Sequence, residues 1–148
     1  MHSTRFADTE NLAKQIGQNL RGGEVVDLVS DLGGGKTTFV RGLARGIGSK
    51  DTVTSPTYTI SNVYDSPNFR LYHFDFYRLV DPGLQSYELA EAIADKQAVV
   101  VTEWSSLVNK LLPQDRLKIA IKVMGQDSRE ITFMYPDSLN YSVKGLST

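Results

Sequence analysis

The chain has 148 residues, enough for one domain that buries roughly 68–70% of the surface its unfolded form exposes. Its 16 Lys plus Arg against 17 Asp plus Glu leave a formal charge of −1, which excludes a bulk electrostatic pull towards nucleic acid or a membrane surface. The absence of cysteine rules out a disulfide framework and thiolate zinc sites, and two histidines, His2 and His73, are too few for an all-histidine one. The first residues lack the apolar stretch of a secretory signal, and the longest unbroken apolar run, about Ala98 to Val101, is far too short to cross a bilayer. A soluble, cytoplasmic protein of one domain, residues 1–148, is expected.

In chain order, Leu12, Ala13, Ile16 and Leu20 recur at helical spacing behind Asp8 and Thr9, either of which can cap the first turn, and Gly22-Gly23 ends the pattern. Val25, Val26, Leu28 and Val29 form a short β-branched run of the kind that lies buried on both faces of a parallel sheet. A glycine-rich turn follows, and then Phe39, Val40, Leu43, Ala44 and Ile47 share one helical face that Gly48 closes. From Tyr58 to Tyr77 the Thr, Tyr, Phe and Ile content predicts two strands joined by a turn at Asp65-Ser66-Pro67-Asn68. Leu84, Leu89, Ala90 and Ile93 predict a helix before the strand Ala98 to Val101. Near the end, Leu117, Ile119, Ile121 and Val123 alternate with polar or small residues, and a turn at Gly125-Gln126-Asp127 leads into Ile131, Phe133 and Tyr135, a closing hairpin. The last dozen residues carry no periodicity and read as a flexible tail. Helices interleaved with buried strands imply a three-layer α/β domain, its sheet mainly parallel but carrying antiparallel hairpins.

The chemistry concentrates in Ser30-Asp31-Leu32-Gly33-Gly34-Gly35-Lys36-Thr37, which matches the phosphate-binding P-loop pattern except at its first position, where serine replaces glycine. A strand before and a helix after are the context the motif needs: loop amides wrap a phosphate, the helix aims its positive end at it, Lys36 reaches the outer phosphates and Thr37 offers a hydroxyl to Mg²⁺. Such a site also needs an acid at the end of another buried strand. Glu103, after Val99-Val100-Val101-Thr102, and Asp75, within His73-Phe74-Asp75-Phe76-Tyr77, are the two candidates. Thr57 in Ser55-Pro56-Thr57 can sense a γ-phosphate as a switch residue. Trp104 and His73 read by default as core residues, and a Ser55, His73, Asp75 triad lacks the nucleophile elbow that would support it. Arg41, Arg45 and Arg78 are present, yet no motif fixes an arginine over the loop, so weak ATP hydrolysis by the protein alone is expected.

Three other readings fit less well. A small-molecule kinase would carry an arginine-rich lid, and no arginine pair follows residue 79. A guanine-dependent switch needs Asn-Lys-x-Asp, which Asn109-Lys110-Leu111-Leu112 fails. Direct nucleic-acid binding would rest on Lys110, Arg116, Lys118 and Lys122 alone, a cluster that reads better as a solvated strand edge.

Taken together, the P-loop block through Phe39, Ser55-Pro56-Thr57-Tyr58-Thr59, His73-Phe74-Asp75-Phe76-Tyr77-Arg78 and Glu103-Trp104, in that order, resemble the bacterial TsaE (YjeE) family across nearly the whole chain. The departures are Ser30 where the family usually has glycine, Gly34 where it usually has alanine, and Ser105 where proline commonly follows the tryptophan. The resemblance implies a P-loop NTPase fold and an ATPase that acts with TsaB and TsaD to make N6-threonylcarbamoyladenosine in tRNAs, ATP hydrolysis resetting the TsaB–TsaD unit and tRNA being met only indirectly. It further implies that Gly33, Gly34, Gly35, Lys36, Thr37 and Thr38 cradle the phosphates of ATP or ADP, and that Thr37 and Glu103 ligate Mg²⁺. Asp75 would lie near the metal and the γ-phosphate, and Thr57 in a switch-like loop. Thr9, Glu10 and Arg129 would lie towards the adenine, and Trp104 near the nucleotide or a partner surface.

Overall fold

The computed structural model describes residues 1–31, 33–56, 60–81 and 83–147. Its elements are β1 (His2–Ser3), α1 (Phe6–Asn19), β2 (Val25–Val29), α2 (Lys36–Gly46), β3 (Ser61–Asp65), β4 (Arg70–Asp75), α3 (Gly83–Ala94), β5 (Ala98–Glu103), β6 (Leu117–Val123) and β7 (Arg129–Met134), with short 3-10 helices at Ser105–Leu111 and Asp137–Val143. The strands form one sheet in the order β1-β7-β6-β2-β5-β4-β3. The four central strands, β6, β2, β5 and β4, run parallel, while β3 at one edge and β7 and β1 at the other are antiparallel to their neighbours. This is the three-layer α/β arrangement, mainly parallel with antiparallel hairpins, that the alternation of helices and buried strands predicts.

Side chains alternate across the sheet, and each face has its own core. On one face Val26, Leu28, Leu71, Val99 and Val101 pack against Leu12, Ile16, Phe39 and Leu43 of α1 and α2. On the other, Val25, Phe74 and Val100 meet Leu89 and Ala92 of α3, with Val108 of the first 3-10 helix. Helices α1 and α2 touch backbone to backbone. A Cβ added to Gly42 would lie 2.3 Å from the Glu10 carbonyl oxygen, and one added to Gly46 2.3 Å from that of Lys14. The helix that carries the P-loop is therefore seated on α1 by glycines, which hydrophobic periodicity does not register.

Two expectations are corrected. The N-cap of α1 is Arg5, and Asp8 lies three residues inside the helix, its Oδ2 accepting the Thr4 and Arg5 amides. These hydrogen bonds, led by that from the Thr4 hydroxyl, hold the Asp8 carboxyl below its ordinary range. The expected tail is instead packed on α1: Leu139 and Ser142 are buried, Asn19 donates to the Ser142 and Lys144 carbonyls, and the Tyr141 hydroxyl donates to Glu24 at 2.7 Å. Its contacts are long-range, so no local period announces them. Among the described residues no helix is long and apolar enough to cross a membrane.

Candidate functional site

The carboxyl ends of the central strands open into a cleft of about 530 Å³ lined by Gly33, Gly34, Gly35, Lys36, Thr37, Thr38, Ser55, Asp75, Tyr77, Arg78, Glu103 and Trp104. One wall is the loop between β2 and α2. Gly35 caps α2 at φ 98°, a left-handed conformation that a Cβ would strain, and from it the chain enters the helix at Lys36. The first-turn amides of Lys36, Thr37 and Thr38 have no acceptor within the helix, so they remain for an anion at the positive end of α2. The Lys36 ammonium bridges the Ser30 and Asp31 carbonyls at 3.1 Å each and lies 4.9 Å from the Trp104 ring centroid. It is thus held at the cleft by neutral partners that a phosphate can replace.

The loop also explains two of its own residues. A Cβ on Gly34 would lie 1.7 Å from the Ser30 Oγ and 2.9 Å from its Cβ, and a turn of the hydroxyl relieves only the first contact. Serine at 30 and glycine at 34 are therefore a matched pair. From outside, Arg129 grips the loop: its Nε donates to the Gly34 carbonyl at 3.0 Å, and Nη1 to the Gly125 and Ser128 carbonyls of the β6–β7 turn.

The floor is made by two adjacent parallel strands whose register pairs Asp75 with Glu103 on the face that carries α2. Both carboxylates are buried, at 7% and 3% exposure. Burial pushes the Asp75 carboxyl above its ordinary range; the Tyr77 amide, donating at 3.0 Å, pulls it down and the Glu103 charge pushes it up again. Glu103 Oε1 has no hydrogen-bond partner. Nε2 of the fully buried His73 lies 3.2 Å from that oxygen. Directly after Glu103 the chain turns sharply, Trp104 taking a left-handed φ of 55° with its ring centroid 4.9 Å from that of Tyr77. A bulky residue in this conformation carries strain that the surrounding packing must hold.

Behind Trp104 lies a second cavity of about 400 Å³, reached by Asp27, Ser30, Ser106, Asn109 and Lys118. Asp27, on the opposite face of the sheet, accepts from Thr102 Oγ1 at 3.0 Å and pairs with Arg116 at 3.3 Å. Arg116 is thereby taken out of the expected basic cluster, its side chain only 17% exposed.

The cleft brings together Lys36, Thr37, Thr38, Asp75, Glu103 and Trp104 with the three loop glycines. Thr9 and Glu10 do not line this cleft. The Thr9 hydroxyl is buried against that of Ser3 at 2.6 Å, fixing β1 to α1, and the Glu10 carboxylate pairs with Arg41 and Arg45 of α2. Arg129 lies beneath the loop. Thr57 lies outside the described residues; beside it, the Ile60 amide donates to the Pro56 carbonyl and the Asp75 amide to the Ile60 carbonyl, tying the ends of that segment to the strand bearing Asp75. Sequence reasoning missed the link of His73 to Glu103. The signal available was its parity with Asp75, which puts both on one face of β4.

A family profile described as "Threonylcarbamoyl adenosine biosynthesis protein TsaE" matches residues 3–131. The chain belongs to the TsaE family. It is 42% identical to the TsaE of Bacillus subtilis over 130 residues, 85% of this chain and 78% of that one, and 38% identical to that of Borreliella burgdorferi, covering 78% and 85%. Among solved structures it is similar to the crystal structure of Bacillus subtilis YdiB, with a TM-score of 0.71 and 37% identity over 91% of this chain and 83% of that one. The family takes part in tRNA threonylcarbamoyladenosine biosynthesis, and the fold is that of a P-loop NTPase.

Proposed function

We propose that this TsaE-family protein binds ATP with Mg²⁺ and hydrolyses it to ADP and phosphate, acting with TsaB and TsaD in the formation of N6-threonylcarbamoyladenosine in tRNA. The observation that carries the reading is the pairing of Lys36 and the free first turn of α2 with the Asp75 and Glu103 floor across one cleft. The Glu103 carboxylate, buried beside Asp75 with its Oε1 lacking a hydrogen-bond partner of good geometry, has acceptor capacity left that fits a cation. Among the described residues no group of three or more His, Asp or Glu could hold a metal alone. That suits Mg²⁺, which takes one or two protein ligands and completes its shell with phosphates and water.

In this reading the loop amides and α2 bind the phosphate chain, and Lys36 leaves the Ser30 and Asp31 carbonyls for the outer phosphates. Thr37 and Glu103 hold Mg²⁺, which neutralises charge on the phosphates. Asp75, whose raised carboxyl retains a proton more readily than an exposed aspartate, orients water at the γ-phosphate side. Arg129 keeps the loop from sagging away from the ligand. Arg41 and Arg45 are committed to Glu10, and Arg78 lines the cleft. No motif of the sequence fixes an arginine over the phosphate loop, so hydrolysis by the protein alone is slow and a partner completes the site.

The experiment is ATP hydrolysis with Mg²⁺, alone and after addition of TsaB plus TsaD from the same cell, with binding to that pair measured by calorimetry in ADP and in a non-hydrolysable ATP analogue. Faster turnover with the pair and an affinity that depends on the nucleotide support a hydrolysis step that resets TsaB–TsaD. Equal affinities in both nucleotide states contradict it, because a ligand shifts only an equilibrium whose states it distinguishes.

A further inference from the structure

His73 is wholly buried on the face of β4 that also carries Asp75, one pleat below it, among the aliphatic side chains of the α1–α2 core. Neither ring nitrogen has a hydrogen-bond partner of acceptable geometry among the described residues. Glu103 Oε1 lies 3.2 Å from Nε2 and is itself unpartnered, and the Asp75 charge on the same face also acts on the ring. A buried polar ring is costly where an aliphatic side chain of similar volume would pack, and two facing orphans on neighbouring strands satisfy each other with a small rotation of either group. The proton belongs on Nε2. On Nδ1 it would be an orphaned buried N–H, rarer in folded proteins than an unmet acceptor.

We propose that His73 is a positioning residue for Glu103: it donates from Nε2 to the buried carboxylate oxygen and fixes the orientation in which Glu103 is presented to the cleft. The inference rests on the reading of Glu103 as a Mg²⁺ ligand and adds the group that aims it. It parallels the outer-shell partners of metal-binding side chains, whose loss typically weakens metal affinity by about 10- to 100-fold.

The test compares His73→Leu, which removes the donor and keeps the bulk, with His73→Gln, whose amide restores a donor at the same reach. Affinity for a fluorescent ADP analogue is measured in EDTA and over a Mg²⁺ titration, with Glu103→Gln alongside. The expected result is an unchanged affinity in EDTA for both His73 variants, a Mg²⁺ midpoint raised about 10-fold or more in His73→Leu, and recovery of most of that loss in His73→Gln. A wild-type midpoint in His73→Leu, or equal losses in the leucine and glutamine variants, overturns the inference. If Glu103→Gln also keeps the wild-type midpoint, the metal reading falls with it; if Glu103→Gln loses Mg²⁺ dependence and His73→Leu does not, the positioning role alone falls. Should His73→Leu fail to fold, nitrogen NMR of the wild type decides, since only His2 and His73 contribute imidazole signals. A proton on Nε2 of His73 supports the role, and a ring protonated on Nδ1 alone contradicts it.

Discussion

Two buried acidic sites lie on opposite faces of the same sheet, and they are built differently. Asp27, on the α3 face of β2, is closed: Thr102 donates to one oxygen and Arg116 pairs with the other, while Arg116 also reaches the Pro113 carbonyl and the Asn109 side chain. Asp75 and Glu103, on the α2 face of β4 and β5, are open. Two carboxylates share that floor, one oxygen of Glu103 faces only the His73 ring, and Lys36 is held on loop carbonyls and not on either acid. A folded chain satisfies a buried acid when only stability is at stake. An acid pair left short of partners beside a free helix start is arranged for something the chain itself does not supply.

The largest expected break is at Lys36. Its side chain has exchangeable partners, so Lys36→Ala should fold normally while Mg²⁺-dependent ATP turnover falls by about 100-fold or more, the scale of losing a charge that follows the transition state. A folded Lys36→Ala protein that hydrolyses ATP and supports tRNA modification at wild-type rates removes the P-loop reading.

Next in size is a contrast of sign between the two acid sites. Asp27→Ala strands Arg116 and should lower stability by about 3 kcal/mol, as breaking a largely buried pair does, seen as a drop in the denaturation midpoint. Asp75→Asn should raise the melting temperature of the ligand-free protein. Burial lifts the Asp75 carboxyl above its ordinary range, so its charged form is harder to hold in the fold than in the unfolded chain; the neutral amide removes that cost and keeps the oxygen that accepts from Tyr77. Destabilisation by both variants would make the two sites alike and undo the comparison.

The phosphate loop supplies a smaller test. Gly34→Ala drives a methyl group into Ser30 and should weaken nucleotide binding by about 10-fold, in line with the 1–3 kcal/mol of overpacking. Adding Ser30→Gly should restore part of it, the Asp31 carbonyl oxygen still lying 3.0 Å from the added carbon, with a coupling of about 1–2 kcal/mol in a double-mutant cycle. Additive effects would mean that the loop relaxes around the extra carbon and that the two residues are not a pair.

How far the sequence speaks for the fold differs from residue to residue. The P-loop, the strands around it and the two acids lie in local runs whose period or spacing carries the signal. What escapes is long-range. The bond from Arg129 to Gly34 spans 95 residues, that from Arg116 to Asp27 spans 89, and the seat of α2 on α1 is made by glycines, which add nothing to a hydrophobic pattern. His73 reads as core because burial alone does not say what a ring nitrogen faces. Thr9 and Glu10 take part in the joint between β1, α1 and α2, through Ser3 and through Arg41 and Arg45, which no local pattern announces.

The smallest expected effect concerns the end of the chain. Burial, aided by the hydrogen bond to Glu24, pushes the Tyr141 hydroxyl up to about 12. A group raised in the fold contributes stability fully below its unfolded value, near 10, and loses it as pH rises through the folded one. Wild type should therefore lose stability more steeply than Tyr141→Phe between about pH 10 and pH 12. Identical slopes for the two proteins in alkaline denaturation would show that residues 137–143 do not hold Tyr141 against Glu24.

The central claim is that the open acid site and not the closed one binds the cation of a nucleotide complex, and calorimetry of a non-hydrolysable ATP analogue, with and without Mg²⁺, tests it most directly. Wild type should bind more tightly with Mg²⁺, Glu103→Gln should lose most of that gain while keeping its metal-free affinity, and Asp27→Asn, measured where it remains folded, should keep it whole. A Mg²⁺ gain that survives Glu103→Gln, or one that disappears in folded Asp27→Asn, contradicts the account.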